Sequence, residues 1–427
     1  MHRVAKPHGN VRFIRTRTEV AHDIDGTPER IVGVSLDVTD EMTTRRELDQ
    51  SDEFLLAITD NIAEGMIATD RQGIITFANA AAERLFKLSS SELLGSTTKA
   101  AFTLRSAGEL SSREAKCPLS RVWSKGESIS VDHDTLVRHD GTTVPVAYNA
   151  TPLRSDGLNG AVIVFDDITD RVAEQLRVQR ELENLVWVGR IREALDNGRF
   201  VLYAQPIIDL ATSDVVQHEL LLRMLSPDGD IVAPDLFLPT AEEYGLIIEI
   251  DRWVIGETVR LAAKGHAVEF NLSARSVADP NILTVIRTAL EDSGASPGNV
   301  VCEITETALV HDVSTAESFV RGLNDLGLKV ALDDFGTGYG GFAYLKRLPV
   351  SYLKIDREFV RDLEDEMSSR HVISAVVSLA QAFGMTTVAE GAESEASLHV
   401  LKDLGVDLVQ GFVVGRPRPV SEVLKTP

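Results

Sequence analysis

The sequence predicts a multidomain protein in which α+β modules precede an α/β barrel of the (β/α)8 type with an irregular, partly antiparallel start. Its 427 residues correspond to about two to four domains of ordinary size. In the N-terminal part, a pair of strand-like runs closed by an Asp-x-Thr-Asp sequence occurs twice. From Phe200 onward, short β-branched runs alternate with helical patterns in about eight units, which is typical of a closed barrel.

The charge and the cysteine content exclude several classes of protein. Asp and Glu outnumber Lys and Arg by 65 to 43, and the net charge of −22 disfavours long nucleic acids and anionic membranes as partners. Two cysteines, Cys117 and Cys302, are too few for a disulfide scaffold. The N-terminus lacks the apolar core of a signal peptide, and the apolar pattern at Val372–Phe383 is too short to span a bilayer. We therefore expect a cytoplasmic protein without membrane insertion.

The internal repeat organises the N-terminal part. Val11–Asp40 and Thr143–Asp170 each read as two strands with alternating apolar positions, joined by a turn that contains Gly. A charged, helix-prone stretch follows each copy, at Glu41–Ser51 and at Arg171–Arg190. Repeated hairpins that lead into helices indicate two copies of one module, the first of them without its N-terminal half.

The second copy has the elements of a complete module. Its predicted elements are a helix at Asp52–Ile62, strands at Gly65–Asp70 and Gly73–Ala78, and a short helix at Asn79–Phe86. Its characteristic residues are Asp70, Gly73, Asn79, Ala82, the run Glu92–Gly95 and the closing run Asp167–Asp170. In this order they resemble a PAS domain over about Ser51–Asp170, which implies a sensor module preceded by part of another.

The ligand of this sensor module stays unknown. PAS domains are known for binding haem, flavin or small metabolites. Cys117 lies in EAKCPLSR, which lacks the flavin-adduct motif of light-sensing members, so we expect a plain structural cysteine. His133 and His139 flank a predicted strand and are interpreted as surface or satisfied histidines rather than haem ligands. We expect the module to act mainly in dimerisation and signal relay.

A predicted helix at Arg171–Asn197 connects the two parts of the chain. Its apolar residues form a rough stripe: Val172, Leu176, Leu182, Leu185 and Val186. This pattern favours a short parallel coiled coil that couples two protomers. The alternative is a surface helix packed on its own domain, and Gln175 and Gln179 weaken the coiled-coil pattern.

The C-terminal part is predicted to form the barrel. The candidate strands are Phe200–Pro206, Val215–Leu222, Ala267–Leu272, Val300–Ile304, Lys329–Leu332, Tyr352–Ile355, Thr386–Ala389 and Leu408–Val409. The candidate helices between them are Pro234–Tyr244, Asp251–Lys264, Pro280–Ser293, Ser314–Leu326, Ser369–Phe383 and Ser394–Leu404. Only the turn at Ala211–Asp214 separates the first two strands, so this pair is expected to be antiparallel.

Polar residues gather in or at the ends of these strands. They are Glu219, Asn271, Glu303, Asp333, Asp334, Lys354, Glu390 and Gln410. Because the carboxyl ends of barrel strands form one face, these side chains should converge on one pocket. Several carboxylates so close together need cations to neutralise them, and oxygen ligands without His or Cys indicate Mg²⁺, Mn²⁺ or Ca²⁺. Paired metals of this type serve in-line displacement at phosphorus. A lone acid at a strand end is, by contrast, more often a helix cap or an ion-pair partner.

A series of short motifs runs through this part in a fixed order. They are Gln205-Pro206-Ile207, Glu219-Leu220-Leu221 with Arg223, Asn271-Leu272-Ser273, Glu303-Ile304-Thr305-Glu306, Asp333–Tyr339 (DDFGTGY), Leu353-Lys354-Ile355-Asp356, Ala389-Glu390-Gly391 and Gln410-Gly411-Phe412. Together they resemble an EAL domain, the cyclic di-GMP phosphodiesterase family of bacteria, over about Val188–Pro419. The resemblance implies a TIM-like barrel that hydrolyses cyclic di-GMP to linear pGpG by in-line attack of water, assisted by two Mg²⁺ or Mn²⁺ ions.

The resemblance also implies a role for each matching residue. The implied metal ligands are Glu219, Asn271, Glu303 and Asp333 for one ion, with Asp334 and Glu390 for the second ion or its water. Lys354 resembles the lysine that orients or helps to deprotonate the attacking water, and Glu306 resembles the acid that holds the loop after Asp334. Arg223 is expected to meet a substrate phosphate, and Gln205 and Gln410 to line the substrate pocket.

Three positions depart from the family pattern. Leu220 replaces the middle alanine of the motif, Phe412 replaces a common tyrosine, and Gly340-Gly341 replaces small hydroxyl residues. The two glycines add backbone freedom to the loop and leave its effect on the basal rate open.

Two functions therefore stand side by side. The first is a phosphodiesterase regulated by its PAS module through a homodimer, and the alternative is a catalytically silent cyclic di-GMP receptor. The expected segments are 1–42 (partial PAS), 43–170 (PAS), 171–187 (signalling helix) and 188–427 (EAL domain).

Overall fold

The computed structural model describes residues 2–5, 11–22, 28–105, 119–155, 158–306, 308, 313–335, 345–363 and 366–424. Cys117 and the loop Gly336–Gly341 therefore lie outside the described residues. The chain divides into two compact units, Met1–Gln179 and Arg180–Pro427. The division falls within one helix, Thr169–Asp196, which covers nearly all of the predicted connecting helix. None of the helices in the described ranges combines the length and the apolar run needed to cross a bilayer.

The first unit begins with a three-stranded antiparallel sheet. Its strands are β1 (His2–Ala5), β2 (Val11–His22) and β3 (Pro28–Asp37), in the order β1-β2-β3. A helix at Thr39–Asp60 follows. The sequence predicted separate helical stretches at Glu41–Ser51 and Asp52–Ile62, but these form one helix, since no Gly or Pro lies between them to end it.

The rest of the first unit is a six-stranded antiparallel sheet with short helices. The strands are β4 (Gly65–Asp70), β5 (Ile75–Ala78), β6 (Phe102–Arg105), β7 (Ile129–Arg138), β8 (Thr143–Ser155) and β9 (Leu158–Asp167), in the order β5-β4-β9-β8-β7-β6. The described helices are Ala80–Phe86, Ser90–Leu93, Thr98–Ala101 and Ser120–Lys125. His133 lies inside β7 rather than beside a strand, and both His133 and His139 are exposed, as expected of surface histidines.

Two of the residues on which the PAS resemblance rests stabilise local structure through hydrogen bonds. Asn79 is 1% exposed, accepts from the backbone N–H groups of Met66 and Ala82, and donates to the carbonyls of Thr59 and Glu64. It thus caps a helix and ties that helix to β4. Asp70 accepts from two backbone N–H groups of the turn that contains Gly73, whose φ of +77° favours glycine.

The second unit is a closed eight-stranded barrel of mixed orientation, which confirms the predicted fold class. Its strands are β10 (Phe200–Asp209), β11 (Val215–Leu225), β13 (Val268–Asn271), β14 (Val300–Thr305), β15 (Lys329–Phe335), β16 (Tyr352–Ile355), β17 (Thr386–Ala389) and β18 (Leu408–Val409). β10 is antiparallel to both of its barrel neighbours, β11 and β18, whereas the other barrel pairs are parallel. Two short strands, β12 (Ile231–Val232) and β19 (Arg418–Pro419), pair antiparallel with β11 and β10.

Helices surround the barrel. Those described are Pro234–Glu243, Ile247–Ala262, Ala274–Val277, Ile282–Ser293, Val313–Asp325, Arg357–Arg361, Met367–Phe383, Glu395–Asp403 and Val420–Val423. Their apolar faces and the outward faces of the strands form the larger core of this unit. A separate apolar layer fills the barrel interior, formed by Ile207, Val301, Ala331, Tyr352, Val388 and Leu408.

This interior layer positions the polar residues. Side chains two positions apart on a strand point to the same face. Glu303, Asp333, Lys354, Glu390 and Gln410 each follow an interior-layer residue by two positions. The apolar layer therefore forms a floor, and the polar side chains lie next to it toward the carboxyl ends of the parallel strands.

Candidate active site

Lys354 lies at the centre of a group of buried carboxylates. It is fully buried in β16, and its Nζ lies 2.5 Å from Glu390 Oε1 and 2.7 Å from Glu303 Oε2. Glu269 Oε1 and Glu219 Oε2 follow at 3.6 and 3.9 Å. Burial by itself lowers the pKa of a lysine, but here the surrounding carboxylates outweigh it and raise the pKa of Lys354 well above its ordinary value. The side chain is therefore a buried ammonium ion.

Three carboxylates next to Lys354 form a cluster that fits a metal ion. Oxygen atoms of Glu303, Asp333 and Glu390 lie within 4.8 Å of one another. Burial raises the pKa of Glu303 well above its ordinary value. Burial also raises the pKa of Glu390 to about 8, against the attraction of Lys354. Since Asp333 Oδ1 is buried with no hydrogen-bond partner among the described residues, the cluster offers free oxygen ligands of the kind that hard divalent cations prefer.

A hydrogen-bonded row of amides fixes Glu219 beside this cluster. Asn271 Nδ2 donates to Glu219 Oε1 at 2.8 Å, and Gln410 Nε2 donates to Glu219 Oε2 at 2.6 Å. The same Gln410 nitrogen lies 3.0 Å from Gln205 Oε1, and Gln205 Nε2 donates to the carbonyl of Gly415 at 3.0 Å. Asn271 at the end of β13 and Gln410 after β18 thus meet at the Glu219 carboxylate of β11, and Gln205 of β10 joins them through Gln410.

The acidic doublet lies at an irregularity of β15. The pairing of β15 with β16 shifts between Leu332 and Phe335, and Asp334 has a φ of +56° in the left-handed region. Aspartate tolerates this conformation better than most residues. Burial and the neighbouring carboxyls of Asp333 and Asp356 raise the pKa of Asp334 to about 6. The strand extends three residues beyond its predicted end at Leu332, so the doublet belongs to the strand rather than to the following turn.

A cavity of about 330 Å³ opens beside the amide row and Glu390. It is lined by Gln205, Glu219, Leu221, Arg357, Glu390, Gly391, Glu393, Gln410, Gly411 and Phe412. At its edge the Arg416 guanidinium lies 4.2 Å from the centre of the Phe412 ring, which is about half exposed. Gly391 has a φ of +71°, and a Cβ there would lie 2.6 Å from Arg357 Cβ. The wall of the cavity therefore has little room for a larger residue at position 391.

The described contacts of Arg223 lie outside the carboxylate cluster. The Arg223 guanidinium lies 5.4 Å from the centre of the Tyr203 ring, and its Nη1 donates to the carbonyl of Leu222 at 2.7 Å. Glu306 is buried directly after β14. The loop that Glu306 was expected to hold lies outside the described residues, so this expectation stays a prediction.

Sequence reasoning missed two polar residues of the site, Glu269 and Gln217. Both are buried inside barrel strands, and Gln217 Nε2 donates to Glu269 Oε2 at 2.7 Å. The available signal was an acid between Val268 and Phe270 in an otherwise apolar strand. Glu269 lies inside its strand and not at the end, so the strand-end pattern did not include it.

Comparison with known families agrees with this architecture. The EAL domain model matches residues 188–417, and the PAS fold model matches residues 59–173. The chain is 34% identical over 299 residues to the bifunctional diguanylate cyclase/cyclic di-GMP phosphodiesterase MucR of Pseudomonas aeruginosa, which covers 68% of this chain and 41% of MucR. It is 34% identical over 254 residues to the cyclic di-GMP phosphodiesterase PdeF of Escherichia coli, which covers 58% of this chain and 34% of PdeF. The chain thus spans less than half the length of either relative.

Solved structures are similar to more than half of the chain. A structure of the PaMucR phosphodiesterase in complex with c-di-GMP has 35% identity and a TM-score of 0.53, and the match covers 56% of this chain and 99% of that one. The FimX EAL domain from P. aeruginosa bound to c-di-GMP has 29% identity and a TM-score of 0.53, with 56% and 98% covered.

Proposed function

This chain belongs to the EAL domain family, and we propose that it is a phosphodiesterase that hydrolyses cyclic di-GMP to linear pGpG. One observation carries the proposal. The acidic and amide side chains that the family resemblance assigns to metal binding, Glu219, Asn271, Glu303, Asp333, Asp334 and Glu390, are all present in the described sequence. A family member with this complete set is expected to turn its ligand over rather than only to bind it.

The metal ligands are proposed residue by residue. Glu219, Asn271, Glu303 and Asp333 would hold one divalent cation, and Asp334 with Glu390 would serve a second. The free Asp333 oxygen and the close oxygens of the cluster support this assignment. When bound, Mg²⁺ or Mn²⁺ polarises a phosphoryl oxygen and lowers the pKa of water.

Lys354 and Glu390 have complementary parts in the proposed reaction. The buried ammonium of Lys354 can donate hydrogen bonds but has no free electron pair, so it orients the attacking water and does not take its proton. Glu390 lies 2.5 Å from Lys354 Nζ and lines the cavity, which suits its carboxylate to accept that proton. The water oxygen then forms a bond to phosphorus while the bond from phosphorus to the 3′ oxygen breaks, and the departing oxygen takes up a proton.

Substrate recognition is assigned to the rim of the barrel. Arg223 can meet a phosphate through two parallel N–H groups, and its contacts with Tyr203 and with the carbonyl of Leu222 restrict the guanidinium. Gln205 and Gln410 line the cavity and bring amide groups to the substrate side of Glu219. An acidic pocket accepts an anionic substrate because bound cations reverse its local charge.

We also propose that the PAS module regulates the barrel through a homodimer. The support is the connecting helix, on which Leu176, Leu182, Leu185 and Val186 are each more than half exposed. Large apolar side chains in such a row are usually covered by a partner, here a second copy of the same helix.

The central experiment measures pGpG formed from cyclic di-GMP by the purified chain in Mg²⁺. We expect turnover by the wild type and none by Asp333→Asn. The matched control is Asp325→Asn, at an exposed position on the helix Val313–Asp325, which should behave as the wild type. Absence of pGpG from the wild type, or equal turnover by Asp333→Asn, would overturn the proposal.

A further inference from the structure

The layer of side chains that forms the floor of the barrel has eight positions, of which six are apolar and two are polar. The six apolar residues precede or follow site residues by two positions, as Val301 precedes Glu303 and Ile207 follows Gln205. On the two remaining strands the equivalent positions are Gln217, two before Glu219 on β11, and Glu269, two before Asn271 on β13. An amide and a carboxylate therefore replace apolar side chains at adjacent places in the floor.

These two residues interact with each other and with the site. Gln217 Nε2 donates to Glu269 Oε2 at 2.7 Å, while Glu269 Oε1 lies 3.6 Å from Lys354 Nζ. Glu269 is fully buried, and this Oε1 has no hydrogen-bond partner among the described residues. Burying a carboxylate in an apolar layer is costly unless it serves a charged or hydrogen-bonded partner. Lys354 is the described cation that this oxygen faces.

The other carboxylates around Lys354 have different tasks in the proposed function. Glu219 and Glu303 are proposed metal ligands, and Glu390 is proposed to serve the second ion and to accept a proton. When cations bind to these three carboxylates, the electrostatic attraction between the carboxylates and the Lys354 ammonium becomes weaker. Glu269 approaches the ammonium from the floor, and its second oxygen is already held by Gln217.

We propose that Glu269, oriented by Gln217, is a positioning residue that holds the Lys354 ammonium in place beneath the metal site. The inference rests on the proposed function for its effect on the rate, but not for its effect on Lys354 itself. Glu269 acts through Lys354 and does not touch substrate.

The experiment observes Lys354 directly in the full-length chain. Lysine side-chain nitrogens are labelled with ¹⁵N, and the Nζ resonance that disappears in Lys354→Met is assigned to Lys354. Glu269→Gln keeps the size of the side chain and replaces its carboxyl group with an uncharged amide. We expect this variant to shift the Lys354 resonance in the presence and in the absence of Mg²⁺. The matched control, Glu291→Gln, changes an exposed glutamate on the helix Ile282–Ser293 and should leave the resonance unchanged.

Kinetics and metal binding separate positioning from other roles. Glu269→Gln should lower kcat by about 10- to 100-fold, as loss of an outer partner at a metal site usually does, with KM for cyclic di-GMP close to the wild-type value. The affinity for Mn²⁺, measured by electron paramagnetic resonance, should stay near wild type in Glu269→Gln and fall strongly in Glu303→Gln. A fall in Mn²⁺ affinity equal to that of Glu303→Gln would make Glu269 a metal ligand and overturn the proposal.

A second variant keeps the proposal testable if Glu269→Gln does not fold. Gln217→Leu removes the hydrogen bond to Glu269 without changing the charge, and we expect a smaller shift of the Lys354 resonance in the same direction. An unchanged Lys354 resonance in a folded variant of either residue overturns the inference even if pGpG is formed. If the wild type forms no pGpG, the phosphodiesterase proposal fails, and the resonance alone still decides the part played by Glu269.

Discussion

Lys354 and Glu303 form a fully buried ion pair, with 2.7 Å between Nζ and Oε2 and each side chain 1% exposed. Removing both charges from water is expensive, and such a pair persists only where further interactions support it. Here the support comes from three further carboxyl groups around the same ammonium ion, those of Glu219, Glu269 and Glu390. The barrel therefore holds more carboxyl groups than one ammonium ion can balance, and burial raises the pKa of Glu303 and Glu390 in the metal-free protein, whereas bound cations would favour their ionised forms.

Replacement of the lysine should expose this imbalance. We expect Lys354→Met to abolish turnover and to lower the free energy of unfolding of the metal-free protein by about 3–5 kcal/mol, because it leaves buried carboxylates without their cation. Urea unfolding followed by circular dichroism, with EDTA and with Mg²⁺, measures the effect. Mg²⁺ should restore part of the loss by binding only the folded state. The control Lys264→Met lies at an exposed position and should change neither quantity; wild-type stability of metal-free Lys354→Met would contradict the account of the cluster.

Stability of the metal-free protein should depend on pH through Glu390. Its pKa is raised in the folded state from 4.5 to about 8, so the folded state binds a proton that the unfolded state releases over that range. The stabilising effect of this proton is complete below the unfolded value and is lost as the pH rises through the folded value. Glu390→Gln cannot lose the proton, so its stability relative to wild type should increase between these two pH values.

Urea unfolding in EDTA across this pH range tests the expectation. The control Glu291→Gln should track the wild type at every pH. A difference between Glu390→Gln and wild type that does not vary with pH would show that the carboxyl is not protonated in the folded state.

Gly391 gives a test of the cavity wall that separates shape from stability. Gly391 and Gly294 have φ values of +71° and +69°, but a Cβ meets Arg357 Cβ at 2.6 Å only at Gly391 and has open space at Gly294. The left-handed backbone should make alanine cost about 1–2 kcal/mol of stability at either position, and the contact with Arg357 adds to this cost at Gly391. Only Gly391→Ala should raise KM for cyclic di-GMP, since Arg357 lines the cavity and must move. Equal KM values in the two variants would show that the position of Arg357 does not affect the binding of cyclic di-GMP.

The sequence predicted the barrel well because each strand is a short β-branched run between turns and amphipathic helices. Thr386–Ala389 and Leu408–Val409 have the same bounds in the structure as in the prediction. The same pattern placed polar residues at the strand ends, and these side chains lie near one another because parallel strands bring their carboxyl ends to one face. Local pattern and position along the strand were sufficient there.

Other features depend on distant contacts, which a local pattern does not contain. The proposed role of Glu269 depends on its side chain pointing into the barrel from β13. It also depends on a contact with Lys354 of β16, which is more than 80 residues away in sequence. The left-handed conformation of Asp334 depends on how β15 pairs with β16. The repeat predicted a boundary between two helices, but the backbone forms a single helix at Thr39–Asp60.

The connecting helix offers the test of the proposed homodimer. Leu182 and Leu185 are about half exposed and lie on one side of the helix Thr169–Asp196, so a second copy would bury both. Lysine at both positions would place charges in that apolar contact, and we expect the doubly substituted chain to be monomeric where the wild type is dimeric. Light scattering after size exclusion measures the mass of each.

Leu236→Lys, at an exposed leucine on the helix Pro234–Glu243, should leave the dimer intact. If the dimer couples the sensor to the barrel, the monomeric variant should also differ from wild type in turnover at equal Mg²⁺. A monomeric wild type, or a dimer that survives both lysines, would show that this face of the helix does not join two copies.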